Sequence, residues 1–73
     1  MNPQAAGQLQ PAAFTVDEFC HAHGRMSRSH FYELLKDGQG PRVFKAGRKT
    51  LISMEAAAVW RRTMEDKAAA EAA

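Results

Sequence analysis

"FTVDEFCHAHGRMSRSHFYELLKDG" (Phe14–Gly38) carries two helix starts and two helix stops. Thr15 and Glu18 have the T-x-x-E spacing of a capping box, in which each side chain satisfies the backbone N–H of the other residue. Phe14 and Phe19 bracket that cap at the spacing of a hydrophobic staple. Val16, Phe19, Cys20 and His23 then recur at i, i+3, i+4 and i+7, which places them on one helix face. Gly24 is the expected stop. Ser27 caps a second helix, and Met26 and Phe31 repeat the staple spacing around it. Phe31, Leu34 and Leu35 form its apolar face, and Gly38 ends it.

Two short capped helices joined by a Gly-containing turn of about three residues fit a helix-turn-helix. Working outward, "GQGP" at 38–41 breaks the chain. "RVFKAGRKTLI" follows and is rich in strand-forming residues, with Gly47 where a tight turn needs positive φ. A small β-hairpin is expected, with strands near 42–45 and 49–52. A third helix is expected after Ser53, with Ala57, Trp60 and Met64 on its apolar face and Arg61 beside them. The expected fold is mainly α with a small hairpin, in the order α-α-β-β-α. Residues 1–13 show no periodicity and read as a disordered arm. The domain then covers residues 14–65, and 66–73 is a frayed or helical tail.

Composition narrows the function. The chain has 73 residues, enough for one small domain and too few for a roomy enclosed active site. Its single Cys forms no internal disulfide. No apolar run approaches the ~20 residues of a membrane span, and the N-terminus lacks the basic start and apolar stretch of a signal peptide. A cytoplasmic protein is expected. Net charge is +2, but seven basic and two acidic residues between Gly24 and Thr50 make that middle +5, against −3 for the rest. Such a centre suggests a polyanionic partner.

On the second helix, Ser29, Tyr32, Glu33 and Lys36 lie opposite the apolar face, with Arg28 at the first turn. Arg bonds a guanine edge with two N–H groups, Ser bonds several base edges, and Glu accepts from a cytosine amino group. Those five residues are the candidate recognition set. Lys45, Arg48 and Lys49 crowd the hairpin tip, where they suit phosphates or a narrow minor groove. Tip and helix are expected to flank one surface. Ser27, Arg25 and Arg42 are candidate phosphate clamps. The competing reading of these residues is a solvated face, with tip charges that discourage strand-to-strand aggregation.

The stretch "MSRSHFYELLKDGQGPRVFKAGRKTLISMEAAAVW" resembles the winged helix-turn-helix domain of excisionase and AlpA-like proteins, distant relatives of MerR regulators. The pattern carrying the likeness is S-R-S-x-F-Y-x-L, then Gly and Pro, then V-x-K-x-G-R-K-T-x-I, then a helix with a central Trp. It covers roughly residues 14–64. The resemblance implies a small bacterial or phage protein that places its second helix in the major groove of double-stranded DNA and its wing along the minor groove. It puts Arg28, Ser29, Tyr32 and Lys36 at recognition positions and Lys45, Arg48 and Lys49 at wing positions. It also implies a recombination directionality factor, binding as head-to-tail copies that bend attachment-site DNA and steer an integrase toward excision. The alternatives are an AlpA-type regulator on a promoter and, in a different class, a protein-interaction module with an acidic partner.

"CHAH" at 20–23 invites a metal reading, but His21 points away from Cys20 and His23 on a helix, and a fourth ligand is missing. No phosphate loop, nucleophile motif or carboxylate pair appears. No metal, no cofactor and no enzymatic activity are expected.

Overall fold

Strands run directly into helices twice in this chain, and a capping residue makes the junction each time. The computed structural model describes residues 12–72. Residues 1–11 of the expected arm, and the last residue of the tail, lie outside them. The elements are β1 (Ala13–Thr15), α1 (Val16–Ala22), α2 (Arg28–Lys36), β2 (Phe44–Ala46), β3 (Lys49–Ser53) and α3 (Met54–Ala72).

Thr15 is both the last residue of β1 and the cap of α1. An N-cap needs extended backbone, and Thr15 has it at φ −72° and ψ 169°. Its Oγ1 accepts from Glu18 N at 3.1 Å, and its own N–H donates to Glu18 Oε1 at 2.9 Å. Ser53 repeats the device between β3 and α3, its Oγ accepting from Ala56 N at 2.9 Å. Ser27 caps α2 by accepting from His30 N at 3.0 Å.

The sheet has the antiparallel order β1-β3-β2. Phe14 lies opposite Ile52 and Thr15 opposite Leu51 on one side of β3, with Phe44 opposite Leu51 and Lys45 opposite Thr50 on the other. The expected hairpin is present, but its first strand begins at Phe44 rather than Arg42. Gly47 takes φ +64° as the first of the two residues that turn it, as a type II′ turn requires. The order α-α-β-β-α therefore gains a leading strand. Ala13, expected at the end of the arm, pairs with Ser53, and Ala12 accepts a hydrogen bond from Met54 N. The described chain is a helix-rich domain with three helices and a three-stranded antiparallel sheet.

The core sits where α1, α2, β3 and α3 meet. Val16, Phe19, Cys20, Phe31, Ile52 and Ala57 are buried, with Phe14, Met26, Leu35 and Trp60 packed around them. Both expected staples reach it: Phe14 meets Phe19 edge-on at 5.9 Å, and Met26 packs against the cluster that holds Phe31. Burial pushes the Cys20 thiol above its usual range, so it stays protonated at neutral pH as an ordinary core side chain. Both ring nitrogens of His23 are engaged: Nδ1 lies 2.8 Å from the Phe19 carbonyl oxygen and Nε2 lies 2.9 Å from an Arg61 Nη1. Trp60 Nε1 donates to the Gln39 carbonyl at 2.8 Å, and Lys67 bonds the Gln39 side chain. These contacts moor the α2–β2 connection to α3. Past Met64, every residue of α3 to Ala72 is exposed, and no described helix is long and apolar enough to cross a membrane.

Gly40 lies in that connection, tight against the end of α2. A Cβ there would sit 2.7 Å from Leu35 Cδ2 and 3.2 Å from the Leu35 backbone nitrogen. The side chain can yield, but the helix backbone resists. Gly40→Ala should cost about 1–3 kcal/mol, read as a lower thermal midpoint by circular dichroism. An unchanged midpoint would show that the connection is free to shift.

Candidate nucleic-acid interface

The start of α1, the start of α2 and the hairpin enclose one groove of about 410 Å3. Arg28 and Tyr32 come to it from α2, Lys45, Arg48, Lys49 and Thr50 from the hairpin, and Thr15, Val16 and Asp17 from the β1–α1 junction. Local structure explains each placement. The Ser27 cap sets the register of α2, so Arg28 falls on its first residue and Tyr32 one turn later. The two-residue turn puts Arg48 at the tip, with Lys49 as the first residue of β3. Lys45 lies opposite Thr50 and donates to its Oγ1 at 3.0 Å.

Four of the lining residues are cations and one, Asp17, is an acid. Asp17 Oδ1 accepts from Arg28 Nη1 at 2.7 Å. This hydrogen bond and the carboxylate charge push the Arg28 pKa further up from a value that already keeps any guanidinium charged. Its Cζ lies 5.8 Å from the centre of the Tyr32 ring, within reach of a cation–π contact. Tyr32 in turn meets Phe31 edge-on at 5.3 Å, which anchors it to the core while leaving it exposed.

Of the eight residues named for the recognition helix and hairpin tip, the structure brings five to this groove: Arg28, Tyr32, Lys45, Arg48 and Lys49. Ser29, Glu33 and Lys36 are exposed on α2 but outside the groove lining. At helical spacing, Arg28, Tyr32, Lys36 and Ser29 span an arc of about 100°, so they form one strip that starts at the groove wall. The candidate clamps divide. Ser27 spends its oxygen on the α2 cap. Arg25, in left-handed backbone at φ +59°, lines a neighbouring hollow together with Arg28. Arg42 lines a different and mostly apolar concavity of about 510 Å3, with Val43, Phe44, Val59, Trp60 and Met64.

Asp17 is the functional candidate that the sequence reading missed. Its only sequence signal was an acid in a first helical turn, which complementarity to the helix dipole already explains. The residue it pairs with is eleven positions away on another helix.

Chemically, the groove offers a row of cations able to hold phosphate oxygens beside a guanidinium with free N–H groups. Among the described residues, no group of three or more His, Cys, Asp or Glu side chains gathers to hold a metal ion. Comparison with protein-family models, curated proteins and solved structures finds no match to the chain.

Proposed function

We propose that this chain is a winged helix-turn-helix protein that binds double-stranded DNA through the groove between α2 and the hairpin. The observation that carries the reading is the convergence of Arg28 with Lys45, Arg48 and Lys49, which come from separate elements and line one groove. A scattered solvated charge pattern has no reason to converge. The major groove of DNA, about 12 Å wide, admits one α-helix, whose first residues reach base edges. Docked in this way, α2 presents Arg28 first, then Ser29, Tyr32, Glu33 and Lys36. The hairpin lies alongside, with its three cations on backbone phosphates.

Within that reading, the resemblance in the α2–hairpin stretch supports an excisionase-like recombination directionality factor. It binds attachment-site DNA as several copies, bends it and directs an integrase toward excision. A gel-shift titration on the DNA flanking its gene, including any attachment site, tests this directly. A cooperative ladder of slow bands at the attachment site is expected. One band at a promoter instead would make the protein an AlpA-type regulator. No shift at low salt would overturn the DNA reading and leave an acidic protein as the partner.

Arg28 gives a residue-level test. Arg28→Ala should cost roughly 1–3 kcal/mol on the preferred sequence and relax base choice at one position. Equal losses on every sequence, measured by fluorescence anisotropy, would make Arg28 a phosphate contact rather than a reader of bases.

A further inference from the structure

A single carboxylate stands on the wall of a groove whose other charged residues are all cations. Asp17 gives up little by being there for the fold, because its side chain is 75% exposed and that of its partner Arg28 is 57% exposed. Ion pairs this open to water contribute little to stability. An acid beside a phosphate-binding surface also opposes binding through like-charge repulsion. Its position therefore calls for a role in how the groove chooses what it holds.

The geometry supplies one. Asp17 Oδ1 takes an N–H of Arg28 Nη1, and the Tyr32 ring lies beneath the same guanidinium. The long Arg side chain has one contact at its end and one at its face. An arginine has five N–H groups in a rigid plane, so the contact to Asp17 leaves others free for a two-point bond. The Arg28 side of the groove carries the carboxylate, and the hairpin side carries three unopposed cations, so the two walls differ in the charge they accept.

We propose that Asp17 is a positioning residue that sets specificity: it keeps Arg28 off the phosphate backbone and aims it at the uncharged edge of a base. The inference rests on the DNA-binding reading above. Backbone phosphates go to Lys45, Arg48 and Lys49. A phosphate drawn to Arg28 meets the Asp17 charge, whereas a guanine edge brings two acceptors and no net charge.

The test begins with duplexes selected by the unaltered chain from a random-sequence pool. Affinities for a selected duplex and for a scrambled one of equal composition are then measured for the unaltered chain, Asp17→Asn, Arg28→Ala and the double variant. Circular dichroism confirms that each is folded. Asp17→Asn should bind the scrambled duplex about three- to tenfold tighter, as expected for one charge removed from beside phosphates. Affinity for the selected duplex should change less, so the ratio between them falls. In the Arg28→Ala background the same substitution should leave the ratio unchanged. If Asp17→Asn raises both affinities equally, Asp17 is only a background charge and the proposal fails. A ratio that falls equally without Arg28 overturns it as well. An unaltered chain that binds every duplex alike keeps the DNA reading and removes this role. An unaltered chain that binds no duplex removes both, before any variant is compared.

Discussion

Phe19→Ala should leave the chain largely unfolded near physiological temperature. Phe19 is fully buried, and its ring is the meeting point of the aromatic core. It stacks on His23 at 4.0 Å and meets Phe14, Phe31 and Trp60 edge-on at 5.9, 5.4 and 5.3 Å. Those partners come from β1, the α1–α2 turn, α2 and α3, so a cavity here loosens every packed layer at once. Phe→Ala in a core costs about 3–5 kcal/mol. Native stabilities of about 0.05–0.15 kcal/mol per residue come to about 4–11 kcal/mol for 73 residues, and the small core places this domain toward the low end, close to that cost. Thermal midpoints of such domains shift by roughly 4–8 °C per kcal/mol, so the melt followed by circular dichroism should fall by at least about 12 °C. A cooperative melt within a few degrees of the unaltered chain would mean that Phe19 is not the centre of the core.

The second large effect belongs to the hairpin. Replacing Lys45, Arg48 and Lys49 together with Ala should weaken binding to any duplex about a hundredfold, taking each contact at about 1 kcal/mol. All three residues are exposed, and changes at such positions move stability by only about half a kcal/mol each. The loss should be the same on preferred and scrambled sequences, because phosphates carry no base identity. The salt dependence should flatten too, by about 0.9 in slope for each phosphate contact removed. A triple variant that binds within threefold of the unaltered chain would take the hairpin out of the interface.

Features that depend on near neighbours were legible in the sequence. The Thr15–Glu18 box, the Ser27 cap, both staples and the Gly47 turn each depend on residues within five positions, and all are present. The apolar faces of α1, α2 and α3 followed from period alone. β1 did not, because three residues are too few to show alternation, and Thr15 already had a complete explanation as a cap. Cap backbone is itself extended, so one residue serves both roles. The first hairpin strand starts two residues later than its sequence suggests, because Arg42 and Val43 are strand-like in type but run along the concavity beside α3.

The site divides along the same line. That helix and hairpin tip would flank one surface was readable from charge and turn chemistry. Which α2 residues border the groove was not, because Arg28 and Tyr32 differ from Ser29, Glu33 and Lys36 only in their angle to a hairpin far away in sequence. Arg42 looked equivalent to the tip cations in one dimension and lies on another surface in three. The Asp17–Arg28 pair has no local signature at all.

The most direct test of the central claim is the affinity of the unaltered chain for duplex DNA as a function of salt. Three phosphate contacts, one for each hairpin cation, predict that log K falls against log salt with a slope of about −3. No binding at low salt, or binding that barely changes with salt, would contradict a cationic groove built to hold DNA.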